Sequence, residues 1–293
     1  MASAIVLCAG FGTRLRPLTD ELPKPLVPVG DRSILEHALG QLHAFGFSKL
    51  LINVHHLAPL FANVVAHFPQ PVQVLQEATI RGTAGGVAGA RAHFSSGPVL
   101  VWNGDILVEP PLDELMARVE PDDFCLAVAP RPRGEGTVGL GVGGQVVRLR
   151  GEHFGEEVEG GDYVGVLALG QRALERLPDE GCLFGDGALP LLRAGGRVNS
   201  VPVLKPWTDA GDPPSLLRAN LAWLEARGLD AFLGDQVELP PGVRLHGAVV
   251  SSGARLSGQG LIESSVICAG ASVAAPLRGA LVAPSGRVIQ CHV

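Results

Sequence analysis

Five apolar residues, Ala4 to Cys8, run without a break into Ala9-Gly10-Phe11-Gly12-Thr13-Arg14. This junction constrains the fold more than any other stretch of the chain. A short continuous apolar run suits a strand covered on both faces. Glycines directly after it let the backbone turn sharply and aim its N–H groups at an anion. In open α/β sheets a ligand sits beyond the carboxyl end of such a strand. Arg14 adds a planar cation able to grip phosphate oxygens. Downstream, Leu22-Pro23-Lys24-Pro25-Leu26 sets one lysine between two prolines, whose fixed φ stiffens the chain and holds Lys24 in place. The two common glycine motifs do not fit: the third Rossmann glycine is replaced by Leu15, and no Gly-Lys-Ser/Thr follows.

Alternation of strand and helix patterns extends over the first two thirds. Lys49 to Val54, Val72 to Gln76 and Pro98 to Trp102 read as strands. Ser33-Ile34-Leu35-Glu36 is a capping box that opens a helix to about Phe45. Leu60 to Phe68 and Thr83 to Phe94 read as further helices. Short apolar strands separated by helices imply a largely parallel sheet with both faces covered. The strands then crowd together (Phe124–Ala129, Val138–Val142, Val146–Leu149, Val164–Leu169), which predicts an antiparallel portion of a mixed sheet. Asp212 reads as a cap before Pro213 at the first position of a helix reaching Ala226.

After Gly228 the helical pattern stops. Val237, Val243 and Val249 are spaced by six, as are Leu261, Ile267 and Val273, with a break at Arg255. One aliphatic per six residues predicts a parallel β-helix, each short strand stacked on the coil below. The boundaries expected are a domain over 1–228 and a second over 229–293. An open coil end favours stacking on a second copy, so a homo-oligomer is expected.

Of the 293 residues 46% are hydrophobic and 18% charged, which makes the chain globular. A net charge of −6 argues against a nucleic-acid binder. The five cysteines, Cys8, Cys125, Cys182, Cys268 and Cys291, are scattered and odd in number, which suits a reducing cytoplasm and neither a disulfide framework nor zinc. Met1-Ala2-Ser3 lacks a basic leader, and no apolar run is long enough to span a bilayer, so neither a signal peptide nor a membrane partner is expected. His55 and His56 are read as structural, because neighbours on a strand face opposite ways.

Leu7 to Val29, with its Gly-x-Gly-Thr-Arg-Leu-x-Pro-Leu-Thr and Pro-Lys-Pro-Leu motifs, resembles the sugar-phosphate nucleotidyltransferase (NDP-sugar pyrophosphorylase) family. The resemblance implies a Rossmann-like α/β domain with a mixed, mostly parallel sheet, here followed by a short C-terminal left-handed parallel β-helix. It implies that Ala9, Gly10, Gly12, Thr13 and Arg14 cradle nucleotide phosphates, and that Lys24 contacts phosphate near the reacting centre. Gln76 to Gly86 resembles the family's base-binding segment, with Gln76, Gly82 and Thr83 on the base. Val101-Trp102-Asn103-Gly104-Asp105 and Trp207-Thr208-Asp209 fall where the family carries its magnesium carboxylates, Asp105 and Asp209. Two carboxylates plus triphosphate oxygens suit Mg²⁺. Asn103, Tyr163 and Gly165 fall on the family's sugar side.

One departure stands out there. The family's Glu-Lys pair is missing, and no lysine lies between Lys49 and Lys205, which leaves Arg148 or Arg150 as replacements. The resemblance implies an enzyme joining a nucleoside triphosphate to a sugar 1-phosphate with release of pyrophosphate. Phe11 to His37 and the C-terminal repeats look like mannose-1-phosphate guanylyltransferases. Asn53-Val54-His55-His56-Leu57 and Gly82-Thr83-Ala84-Gly85-Gly86 look like uridylyltransferases acting on N-acetylmuramate 1-phosphate. A non-catalytic, nucleotide-sugar-binding homologue is the competing class. An acyltransferase tail is disfavoured, since its only histidines are His246 and His292.

Overall fold

The computed structural model describes residues 2–291, so Met1 of the leader reading and His292 of the acyltransferase reading lie outside the described residues. The chain forms two compact units, divided inside helix α1 (Ile34–Phe45). The first collects Met1–Gly10, Ala38–Ala58 and Ala62–Trp207; the second collects Phe11–His37, Pro59–Phe61 and Thr208–Val293. Ser33 and Glu36 close the expected capping box at the start of α1: the Ser33 amide donates to the Glu36 carboxylate at 2.8 Å, and the Glu36 amide donates to the Ser33 hydroxyl at 3.3 Å.

The first unit is a sheet with helices. Strands β1 (Ser3–Leu7), β2 (Lys49–Val54), β3 (Val72–Gln76) and β4 (Val99–Asn103) run parallel in the order β4-β1-β2-β3. They are joined by β5 (Phe124–Arg131), β6 (Val138–Leu140), β7 (Val146–Leu149), β8 (Glu152–His153), β9 (Glu159–Leu169) and β10 (Val198–Pro202). β9 is antiparallel to β4, β5 and β6, and β7 is antiparallel to β6 and β8. Only β9 and β7 run against the rest, so the sheet is mixed and mostly parallel, with its reversals confined to the crowded strands. β10, parallel to β5, is absent from the sequence reading because Val198-Asn-Ser-Val-Pro shows no sustained apolar run.

Ile5, Leu51, Val99, Val101, Leu126 and Leu167 are fully buried along the sheet, beneath Ala84 and Val87 of α2 (Gly82–Gly89). Each such side chain contributes about 1.5–3 kcal/mol relative to exposure. The expected longer helix to Phe94 instead ends at Gly89 and continues as a tight turn over Arg91–His93.

The second unit is built on α3 (Pro213–Glu225). Asp212 caps it as expected, accepting from the Ser215 amide at 2.8 Å. Buried Asn220 on α3 accepts from the Gly30 amide at 2.9 Å and donates to the Pro28 carbonyl at 3.1 Å, which fixes the exit of the Lys24 segment. Strands β11 (Ala231–Leu233), β12 (Val243–Val250), β13 (Arg255–Ile267), β14 (Ser272–Arg278) and β15 (Ala280–Val282) follow. β11, β12, β13 and β14 pair in parallel, residues facing those 17 further along up to Gly258 (Ala231 with Ala248, Val249 with Val266, Leu256 with Val273) and 15 further along after the irregular stretch of β13, as for Ile262 with Leu277. β15 also lies parallel to β13, and a last antiparallel strand, β16 (Val288–Gln290), closes the row.

The six-residue period is only approximate to this arrangement. Val250 and Ile267 point into the strand core with Ala248 and Val282, whereas Val249, Val266 and Leu281 align as a separate buried row on strands that pack against α3. Arg255 breaks the period because it is exposed, its inward neighbours being Ala254 and Leu256. Among the described residues, no helix is long and apolar enough to cross a membrane.

Candidate active site

In the second unit, the glycine loop is closed by its own hydrogen bonds. Gly12 adopts φ +63°, a left-handed conformation that glycine alone enters without strain. The Thr19 hydroxyl donates to the Gly12 carbonyl at 2.8 Å. Leu15, in the slot of the missing third glycine, is a fully buried anchor for the turn Thr13–Leu15. Lys24 opens a second tight turn, Lys24–Leu26, between its two prolines and is buried.

Both expected cations meet Asp209. The Lys24 ammonium donates to one carboxylate oxygen at 3.3 Å, and the Arg14 guanidinium donates to the other at 3.3 Å. Gly211 leaves room for this arrangement, since a Cβ there would lie 2.7 Å from the Arg14 guanidinium nitrogens. The loop therefore presents two cations bridged by one carboxylate.

The first unit carries the remaining candidates. Ala9 is buried and Gly10 exposed past the end of β1. Asn103 ends β4, and the Gly104 amide donates to the Leu7 carbonyl at 2.9 Å, which fixes the turn bearing half-buried Asp105. The charge of Asp105 is felt by two neighbours: burial and then Asp105 push the Cys8 thiol and the Tyr163 phenol well up. Tyr163 lies edge-on to Phe184, with centroids 4.7 Å apart. Gly165 sits in the irregular stretch of β9 and packs on Ile106, where a Cβ would come within 2.4 Å. Ile106 is the residue that follows Asp105.

Gln76 is exposed at the end of β3. Gly82 has φ +75° and abuts the Gly181 carbonyl, so no other residue fits. The Thr83 hydroxyl accepts from the Leu183 amide at 2.9 Å, and the Ala84 amide donates to the Gly181 carbonyl at 2.9 Å. The segment 181–183, unread in the sequence, thus brackets the expected base segment.

A buried relay supports the same segment. The Cys8 amide donates to the Asn53 side-chain oxygen at 2.9 Å, the Asn53 amide donates to Glu77 at 2.8 Å, and Glu77 accepts from the Arg81 amide at 3.2 Å. Asn53 and Glu77 were missed as positioning residues, although each is a polar residue at the end of an apolar strand. His55 lies just beyond β2, with Nδ1 2.9 Å from the Glu77 carbonyl. His55 and His56 both lie past the end of the strand, so the alternation argument does not apply to the pair.

Arg148 and Arg150 part company. Arg148 is committed to buried Glu157 at 2.8 Å and to the Glu135, Gly136 and Val138 carbonyls. The hydrogen bond from Arg148 holds the Glu157 carboxyl down at about 2. Arg150 instead reaches Cys182, its guanidinium 3.2 Å from Sγ. Burial alone raises the Cys182 thiol, but the Gly185 and Phe184 amides, Arg150 and the Thr83 hydroxyl together bring it below its ordinary value.

Among the described residues no three His, Cys, Asp or Glu side chains form a metal-binding group. Carboxylate oxygens at Asp105 and Asp209 are nonetheless the donors Mg²⁺ prefers when phosphate oxygens and water complete its shell.

The fold and these motifs define an α/β nucleotidyltransferase. The nucleotidyl transferase family profile matches residues 3–226, and the chain belongs to that family. It is 30% identical over 227 residues to the "Bifunctional protein GlmU" of Methanococcus maripaludis (strain C7), covering 75% of this chain and 54% of that one. The chain therefore spans about half the length of the GlmU relatives it matches. It is 33% identical over 246 residues to the "N-acetylmuramate alpha-1-phosphate uridylyltransferase" of Caulobacter vibrioides, covering 76% of this chain and 97% of that one. The match to "Mannose-1-phosphate guanylyltransferase 1" of Arabidopsis thaliana is 34% over 120 residues, 39% of this chain and 33% of that one. Among solved structures, HddC from Yersinia pseudotuberculosis shares the fold, with a TM-score of 0.65 at 19% identity, over 76% of this chain and 100% of that one.

Proposed function

We propose that this protein joins a nucleoside triphosphate to a sugar 1-phosphate, forming a nucleotide-sugar and releasing pyrophosphate. The observation that carries the reading is Arg14 and buried Lys24 on one carboxylate, beside a glycine loop closed by Thr19. The sugar phosphate oxygen attacks the α-phosphorus in line, and pyrophosphate leaves. Arg14 and Lys24 hold charge on the phosphoryl oxygens, and the backbone over Ala9–Thr13 orients the triphosphate. Catalysis of this kind rests on positioning and charge stabilisation. Asp105 in the first unit and Asp209 in the second are the carboxylates assigned to Mg²⁺, which when bound neutralises phosphate charge as a Lewis acid. Gln76, Gly82 and Thr83 are assigned to the base, and Asn103 and Tyr163 to the sugar, with Gly165 shaping the strand beneath. Arg150 takes the place of the missing lysine, because Arg148 is occupied by Glu157.

The first substrate pair is GTP with mannose 1-phosphate, on the resemblance over Phe11 to His37 and the C-terminal strands. The second is UTP with N-acetylmuramate 1-phosphate, favoured by a match that spans 97% of the Caulobacter uridylyltransferase. The parallel strands from β11 to β15 are read as a left-handed β-helix and as the surface through which copies associate. The scattered cysteines suit the cytoplasm.

Pyrophosphate release with Mg²⁺ across a matrix of triphosphates and sugar 1-phosphates tests the proposal. One strong combination is expected. Silence throughout, with nucleotide-sugar still bound, supports the non-catalytic class instead. Asp105→Asn is expected to abolish turnover with the fold intact, and an active variant refutes its assignment.

A further inference from the structure

The segment between the glycine loop and Lys24 is tied to the far end of the chain. Glu21 follows the tight turn Leu18–Asp20, and its amide donates to the Leu18 carbonyl at 3.1 Å. Its carboxylate is engaged on both oxygens by one residue: the Ser285 amide donates to Oε2 at 2.9 Å, and the Ser285 hydroxyl donates to Oε1 at 2.7 Å. The two residues are 264 positions apart and belong to the same unit.

Ser285 does not reach Glu21 from a loose end. It sits in the turn between β15 and β16, closed by the Ala283 amide on the Arg287 carbonyl at 2.9 Å and the Gly286 amide on the Ala283 carbonyl at 2.8 Å. Antiparallel pairing of Leu281 with Ile289 holds the base of that turn. The Glu21 carboxylate is felt again at the end of β13, where burial and then Glu21 push the Cys268 thiol up to about 12. On its other side, Glu21 continues through Leu18 and Thr19 to the Gly12 carbonyl, and Lys24 lies three residues on.

We infer that Glu21 and Ser285 form a latch by which the C-terminal strands hold the loop carrying Gly12, Arg14 and Lys24 in its nucleotide-binding conformation. Glu21 is thus a positioning residue: it touches no phosphate and acts through the loop. The inference rests on the proposed function for what the loop binds, and on the hydrogen bonds alone for the coupling. An exposed surface contact with no further role shifts stability slightly and nothing else. A latch has a different signature. When only a fraction of molecules hold the competent loop, apparent affinity falls by that fraction while saturated turnover is untouched.

The test uses the full-length protein with Ser285→Ala, Glu21→Gln, the double variant and Ser285→Thr, which keeps both donors. Hydrogen exchange of amides 12–24 is measured without ligand, and steady-state kinetics with the best substrate pair. Expected are faster exchange in that segment and a nucleotide KM about 3- to 10-fold higher in the single variants, as a competent fraction of a tenth to a third requires. kcat and the sugar-phosphate KM stay unchanged, the double variant is no worse than either single one, and Ser285→Thr behaves as wild type. Unchanged exchange over 12–24 in Ser285→Ala overturns the latch, as does a lower kcat with unchanged KM, or strictly additive effects. A wild-type protein silent on every substrate pair, with exchange still faster in Ser285→Ala, sinks the proposed function and leaves the latch standing.

Discussion

Replacing Asp209 by Asn removes the negative charge shared by Arg14 and Lys24 while keeping the side chain's size. The stability cost follows from the unequal burial of its partners. The Lys24 side chain is 8% exposed and that of Asp209 39%, with 3.3 Å between the charged atoms. Breaking a buried pair costs about 3–5 kcal/mol, but solvent reaches Asp209, and the Arg14 side chain, 63% exposed, adds little. A loss of about 1–2 kcal/mol follows, which lowers Tm by about 3–6 °C for a chain of this size. The two binding effects have opposite signs. With no carboxylate competing for Arg14 and Lys24, metal-free triphosphate binds the variant more tightly, about 5-fold for about 1 kcal/mol. With Mg²⁺, turnover falls about 10²-fold or more, the scale of losing one preorganised charge-stabilising group. Calorimetric titration with triphosphate in EDTA, beside pyrophosphate release with Mg²⁺, separates the two. Weaker metal-free binding together with retained turnover refutes the reasoning, because Asp209 is then neither a competitor for the cations nor a metal carboxylate.

Arg150→Met removes the cation beside Cys182 and raises its thiol pKa, so the pH profile of iodoacetamide alkylation moves upward; an unmoved profile excludes Arg150 as a cause. Glu157 titrates at about 2 in the folded protein against an ordinary 4.5, so its stabilisation is present above about pH 4.5 and is lost as pH falls toward 2. Glu157→Gln lowers Tm at neutral pH and flattens its fall between those limits, checked by thermal melts across that range. Asn220→Ala leaves the Gly30 amide without its buried acceptor and costs about 2–4 kcal/mol by denaturant melts.

Features set by neighbours in sequence were legible before any fold. Ser33 with Glu36 and Asp212 with Ser215 are three-residue arrangements, and both caps formed. The two prolines around Lys24 signalled a stiff segment, and it forms the tight turn Lys24–Leu26; the burial of Lys24 was not legible there. The missed features all depend on distant partners. The relay from Cys8 through Asn53 to Glu77 spans three strand ends, and Thr83 meets Leu183 across 100 residues. Nothing local separates Arg148 from Arg150: the pairing of β6, β7 and β9 brings Glu157 to the first and leaves the second for Cys182. The C-terminal periodicity pointed to stacked parallel strands but could not tell the side of Val249 from that of Val250, which alternation along a strand separates by a single position.

The pairing offset of the C-terminal strands sets a rule of parity. Low in the row the offset is 17, as for Leu256 with Val273; past the irregular stretch of β13 it is 15, as for Val266 with Leu281. The two lengths differ by two, so the change leaves every inward residue inward: Ala248 and Val250 sit over Ser265 and Ile267, and these over Ala280 and Val282. A turn of this row can therefore shrink or grow by an even number of residues at its corners and keep its interior. Loss of a single residue inverts the faces of every strand beyond it, moving Ile267 and Val282 out of the strand core to the side where Val266 and Leu281 now lie. Length variation in this part of the chain is expected to come in pairs.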